Sequence, residues 1–257
     1  MRDNPVKAKL AAGERVYGTM IFEFVSPGLA TVLANAGADF VMYDMEHSGI
    51  DDAEIKRQIA YCRGLDIVPM ARPPEKTYAS TARLLDLGIM GLMYQMVESR
   101  EEAEEIASWV RYPPGGVRGA MFGGAHDDYA GGDVAAKMAI ADDRTLAIVL
   151  IETAKGVENI DEILAVPGID MAHVGHFDLS LTMGIPGQFE HPDFQAAIDT
   201  IIAACNKHGK VAGLLAPDVT WGKDWIDRGF RFVSYSYDIG LLGGALSDGI
   251  AALREHG

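Results

Sequence analysis

The chain of 257 residues has little cysteine, a deficit of positive charge and no long apolar run. Its two cysteines, Cys62 and Cys205, stand far apart with no Cys-x-x-Cys spacing, which argues against a zinc ribbon and against a disulfide framework. No apolar stretch reaches the roughly 20 residues that a bilayer-spanning helix needs. The opening Met1-Arg2-Asp3-Asn4-Pro5 carries acid and proline where a secretory signal has a basic patch followed by an apolar stretch. These features predict a cytoplasmic protein with no membrane partner. Lys and Arg number 22 against 37 Asp and Glu, for a formal charge of −15. Such a surface repels phosphate backbones, so nucleic acid is a poor partner, and a small anionic substrate needs a local cation or metal to bind. Three motifs are missing as well. The first turn, Glu23-Phe24-Val25-Ser26-Pro27-Gly28, is no dinucleotide fingerprint, no Gly-Lys-Ser/Thr phosphate loop occurs, and no Gly-x-Ser-x-Gly elbow supports serine hydrolysis. No lysine lies inside an apolar strand, where a Schiff-base enzyme would desolvate it.

What is present is a regular alternation. Short apolar runs recur at Val16 to Phe22, Phe40 to Tyr43, Ile67 to Ala71, Met90 to Tyr94, Leu146 to Ile151, Met171 to Val174, Val211 to Leu214 and Phe232 to Tyr235. Runs this continuous suit strands buried on both faces of a parallel sheet. Helical stretches lie between them: Asp51 to Arg63 opens on a capping acid, Ser99 to Arg111 on a Ser99/Glu102 box, and His191 to His208 on a first-turn Pro192. About eight βα units in roughly 250 residues is the arithmetic of a (β/α)8 TIM barrel, here a single domain. One long irregular stretch, Tyr112 to Asp133, is rich in Pro and Gly and reads as a binding loop, a lid or a subunit contact.

In such a barrel the chemistry sits where the strands end, so the polar residues after each apolar run matter most. They are Asp44-Met45-Glu46-His47, Arg72-Pro73-Pro74, Glu152-Thr153 and Gly175-His176-Phe177-Asp178. Glu152 and Asp178 present two carboxylates from neighbouring strands; they suit Mg2+ or Mn2+ better than structural zinc, or else they cap the helices that follow. Arg72 offers a fixed fork for a carboxylate or enolate oxygen, or pairs with a rim aspartate. His47 follows Asp44 by three residues, within reach of a carboxylate that would orient it as a general base; a surface or core histidine is the simpler alternative. Glu46 either supports a cation-bound water or is buried and paired.

In order along the chain, Asp44-Met45-Glu46-His47, Met70-Ala71-Arg72-Pro73, Arg111-Tyr112-Pro113-Pro114-Gly115-Gly116-Val117-Arg118-Gly119, Ile151-Glu152-Thr153 and Val174-Gly175-His176-Phe177-Asp178-Leu179-Ser180 together resemble the HpcH/HpaI family of metal-dependent class II pyruvate aldolases. The resemblance spans nearly the whole chain. It implies a barrel assembled as a homo-hexamer, a trimer of dimers, with the C-terminal helix exchanged between subunits. It implies a divalent metal, Mg2+ or Mn2+ foremost with Co2+ and Zn2+ as alternatives, held by Glu152 and Asp178. It further implies His47 as base, Arg72 as enolate stabiliser, and the backbone amides of Phe177 and Asp178 as the grip on the substrate carboxylate. Asp86 matches an acid that raises the basicity of the histidine across a subunit boundary, with Asp44 its local competitor, and Leu215 matches an apolar limit to the aldehyde pocket. Two positions depart from the family pattern. Leu150 stands where Gln is usual, and His176-Phe177 replaces Pro-Ala beside the 2-oxo acid, which bears on substrate choice. The implied reaction is reversible cleavage of a 4-hydroxy-2-oxo acid to pyruvate, or hydroxypyruvate, and an aldehyde. Decarboxylation of oxaloacetate through the same enolate, and a barrel serving only binding or assembly, are the rival readings.

Overall fold

The structure, a computed structural model, describes residues 1–256. Eight parallel strands close into a barrel in sequence order, each strand pairing with the next and the last with the first. They are β1 Val16–Ile21, β2 Phe40–Asp44, β3 Val68–Arg72, β4 Gly91–Tyr94, β5 Leu146–Ile151, β6 Met171–Val174, β7 Val211–Ala216 and β8 Phe232–Tyr237. All eight coincide with the apolar runs, and β2, β3, β7 and β8 continue a residue or two further, so Asp44 and Arg72 belong to strand ends and not to loops.

The helices are α1 Pro5–Ala11, α2 Leu29–Asn35, α3 Asp52–Tyr61, α4 Tyr78–Leu87, α5 Arg100–Trp109, α6 Val134–Arg144, α7 Ala154–Glu158, α8 Ile160–Leu164, α9 His176–Thr182, α10 Pro192–His208, α11 Val219–Asp227 and α12 Asp238–His256. Several starts follow from one side chain. The Asp51 carboxylate accepts from the Glu54 amide at 2.8 Å, and the Ser99 hydroxyl from the Glu102 amide at 3.2 Å. Each satisfies an amide that the helix itself leaves unpaired. Pro192 occupies the first turn of α10, where its missing N–H costs nothing.

Alternation along each strand splits the interior in two. Phe40 and Met42 point into the barrel lumen with Met20, Met70, Ile148, Leu150, Met171 and Phe232, while Val41 and Tyr43 pack outward against the helices. Both faces are therefore dry, as a parallel sheet covered by helices requires. At the base of the lumen Phe40 and Phe232 stack with centroids 4.0 Å apart, and a side chain at Gly18 would occupy the space of the Phe40 ring.

The long stretch after α5 contains only a 3-10 turn, Ala125–Asp127. It joins the end of α5 to α6 and so lies at the N-terminal end of the barrel, where it packs Ala125 and His126 beside Arg2, Arg63 and Arg144. None of its residues lines the pocket at this chain's own strand ends. At the other extreme, α12 is exposed along its length after Asp238, including Leu242, Leu246 and Leu253. Among the described residues no helix is long and apolar enough to cross a membrane.

Candidate active site at the strand ends

A pocket of about 360 Å³ opens at the C-terminal mouth of the barrel. His47, Arg72, Glu152 and Asp178 all line it, together with His176, Phe177, Leu150 and Leu215. Eight of the eleven residues singled out in the sequence thus converge, because every strand of a parallel barrel delivers its last residue to the same rim.

Arg72 ends β3 buried, and its guanidinium forks onto Asp44 at the end of β2, with Nε donating to Oδ1 at 3.1 Å and a second short bond to Oδ2. A third nitrogen lies 3.1 Å from the Glu46 carboxylate. Two of the five guanidinium N–H groups are hydrogen-bonded to Asp44, and the rest remain for the pocket that Arg72 lines. These acids, with Glu152, hold the Arg72 pKa above its usual value against the opposing effect of burial.

Asp44 does not orient the imidazole. Its carboxylate accepts from the Glu46 amide at 2.8 Å and the His47 amide at 3.3 Å, so it shapes the loop while anchoring Arg72. The acid nearest the His47 ring is Glu46, with Oε2 at 3.6 Å from Nε2. Asp86 lies in the last turn of α4, which runs back from the site, and pairs with Arg118 at 3.2 Å at the opposite end of the barrel. Within one chain Asp86 is out of reach of His47.

Glu152 follows β5 and is buried. Its Oε1 accepts from the Met96 amide at 2.8 Å, in a loop where Met96 takes a left-handed conformation at φ 52. Nothing in the sequence signals that role, since a methionine rarely adopts such a backbone. On the other side, a Cβ at Gly175 would lie 2.6 Å from Glu152 Oε2, so only glycine leaves the carboxylate its place. Burial, reinforced by the like charge of Asp178, pushes the Glu152 carboxyl up to about 7. Two acids held together with too little positive charge fit a divalent cation. Among the described residues no group of three or more His, Cys, Asp or Glu converges, so such an ion would draw its remaining ligands from substrate and water, as Mg2+ commonly does.

Beside these acids α9 is preceded by Gly175 at its N-cap, which has no side chain to cap the first-turn amides of Phe177 and Asp178. Phe177 and Asp178 line the pocket, and amides left without a side-chain cap suit a carboxylate. His176 lines the pocket, and its ring makes no hydrogen bond to the rest of the described chain. Its ring packs on Phe177, Phe189 and Trp221 at centroid distances of 4.6, 5.2 and 4.8 Å, and burial lowers its pKa to about 4. Sequence reasoning also missed the opposite wall of Met20, Phe22, Tyr237 and Ile239, whose places emerge only when β1 and β8 meet.

A parallel eightfold barrel with acids, an arginine and a histidine at one mouth defines the class: a TIM-barrel protein with a charged pocket of small-molecule size. Comparison makes it specific. The sequence profile described as HpcH/HpaI aldolase/citrate lyase matches residues 20–245, and the chain belongs to that family. It is 36% identical to a hydroxypyruvate/pyruvate aldolase of Roseobacter denitrificans, covering 93% of each chain. It is 34% identical to a 5-keto-4-deoxy-D-glucarate aldolase of Shigella boydii over 93% of this chain and 92% of that one. The crystal structure of an HpcH/HpaI aldolase from Desulfitobacterium hafniense superposes with a TM-score of 0.93 at 31% identity, covering 97% of this chain and 96% of that one.

Proposed function

We propose that the protein is a carbon–carbon lyase, a class II pyruvate aldolase that reversibly cleaves 4-hydroxy-2-oxo acids to pyruvate or hydroxypyruvate and an aldehyde. One observation carries this reading: Glu152, Asp178, Arg72 and His47 line a single pocket, with the two acids paired and short of positive charge. The aldolase relatives support it over 93% of the chain.

Glu152 and Asp178 would hold a divalent ion, Mg2+ or Mn2+, which supplies Lewis acidity toward the 2-oxo acid when bound. The first-turn amides of α9 and the Arg72 N–H groups not bonded to Asp44 bind and orient the carboxylate and oxo group. His47 takes the proton of the C4 hydroxyl, and Glu46 beside Nε2 stabilises the imidazolium that results. The C3–C4 electron pair then moves toward C2 as the aldehyde departs, and Arg72 shares the negative charge of the enolate. Protonation at C3 completes pyruvate. In the synthetic direction His47 returns its proton to the new alkoxide.

The exposed apolar length of α12 supports assembly through this helix, as expected for a homo-hexamer that exchanges it between subunits. The reach of Asp86 to a neighbour's His47 depends on that assembly. Two buried, unpaired thiols are consistent with a cytoplasmic location.

The test is pyruvate release from a 4-hydroxy-2-oxo acid by chelator-stripped protein, before and after Mg2+, Mn2+ or Co2+ is restored, with Glu152→Ala alongside. Release that needs both ion and Glu152 is the expected result. Equal release without added ion, or from the variant, refutes the role given to this pair.

A further inference from the structure

Charge is distributed around the mouth of the pocket very unevenly. The half built from β2, β3, β5 and β6 contains the lining arginine and carboxylates, Arg72, Glu152 and Asp178, and the His47 imidazole. The facing sector, from β7 through β8 to β1, contributes Leu215, Tyr237, Ile239, Met20 and Phe22, whose one polar group is the Tyr237 hydroxyl. Phe22 lies edge-on to Tyr237 with centroids 5.6 Å apart, and the Arg72 guanidinium carbon stands 6.0 Å from the Phe22 ring centre, so this ring marks the boundary between the two sectors.

The segments that lead out of β7, β8 and β1 carry Asp218, Asp238 and Glu23, and neither Lys nor Arg precedes α11, α12 or α2. Asp238 is buried and accepts from the amides of Phe22, Glu23 and Phe24 at 3.1, 2.8 and 2.7 Å, which pins the apolar wall in place. Asp218 caps α11 through the Trp221 amide. Arg72 already faces two carboxylates and, in the proposed reaction, the 2-oxo acid, so it cannot also serve a second anion.

The geometry points to an uncharged, apolar aldehyde as the acceptor of this enzyme, seated on Leu215, Phe22, Tyr237 and Ile239, with acid-terminated aldehydes discriminated against. This inference rests on the aldolase reading and narrows it. In the bond-forming step the enolate C3 attacks the aldehyde carbon. The carbonyl π pair moves to oxygen, which takes one proton, while the acceptor's substituent remains in the apolar sector. A carboxylate there meets no cation of this chain and loses hydration without compensation, whereas an alkyl or aryl group gains burial. The chain's net charge of −15 adds to the penalty.

The donor half is measured first and alone, as exchange of the C3 protons of pyruvate for deuterium in D2O with Mn2+ present and no aldehyde. Absence of exchange overturns the aldolase reading itself. With exchange established, kcat/KM is compared for butanal and benzaldehyde against glyoxylate and succinic semialdehyde, and for the same four with Leu215→Lys. The expected result is a preference for the uncharged pair of roughly tenfold or more, which the lysine variant erodes by favouring the acids. Equal or better use of the acid-terminated aldehydes by the wild-type protein, in the presence of normal exchange, overturns the inference while leaving the aldolase intact.

Discussion

Gly175 offers the sharpest perturbation of the proposed cation site. An added Cβ there would lie 2.6 Å from both the Cβ and Oε2 of Glu152, where ordinary contact begins at 3.4 Å, so the glutamate must yield in Gly175→Ala. The backbone at 175, φ −93 and ψ 82, is open to alanine, which confines the damage to this contact. Overpacking of this kind costs about 1–3 kcal/mol in stability. Function should suffer more, because a displacement of roughly 1 Å in a group that must be positioned costs on the order of a hundredfold. Pyruvate release at saturating Mn2+, a calorimetric Mn2+ titration and a thermal melt together read these effects. Gly28→Ala serves as control, since nothing lies within 4 Å of its Cβ position and its φ is −87. The expected pattern is a lowered melting temperature with folding retained, weakened Mn2+ binding and a kcat/KM reduced roughly a hundredfold. If the variant binds Mn2+ and turns over within threefold of wild type, Glu152 is not the group whose position controls the ion.

Other expectations follow from the same geometry. Arg72→Lys replaces a planar fork with a point charge and strands the fully buried Asp44, so kcat should fall while unfolding in urea shows a loss of roughly 3 kcal/mol; an unchanged midpoint would show that the pair is not what holds the rim. His173, on β6 inside the lumen, is held neutral by burial with its pKa lowered to about 3. Its folded value lies below the unfolded one, so the unfolded chain binds the extra proton and stability falls as pH drops through about 6.5 toward 3, by about 1.4 kcal/mol at pH 5.5. His173→Phe should flatten that slope, and identical acid profiles for both proteins would refute the assignment. On α12, the double substitution Leu242→Asp and Leu246→Asp should reduce the mass measured by light scattering in solution to that of smaller assemblies, and an unaltered mass would remove this helix from the interface.

Much of this molecule is legible in its amino-acid order. Eight continuous apolar runs separated by capped helical stretches can bury both faces of their strands only by closing into a covered parallel sheet, which then delivers every strand's last residue to one rim. The order of acids, arginine and histidine after those runs, together with the family likeness, therefore directs Glu152, Asp178, Arg72 and His47 to one pocket. Which group supports which is another matter, because spacing along a chain says nothing about the direction of a side chain at a strand end. Asp44 is three residues from His47 yet faces Arg72 across the sheet, since the β2–β3 register sets Asp44 directly opposite Arg72. Glu46 takes the position beside the imidazole. The Met96 amide that holds Glu152 arises from a left-handed residue in a neighbouring loop, and the apolar wall of Phe22, Tyr237 and Ile239 exists only because β8 closes on β1. Local patterns of burial and capping determined the elements and their order; only closure of the barrel, which brings residues more than 200 positions apart into contact, decided the partners of the charged groups and the character of the pocket's far side.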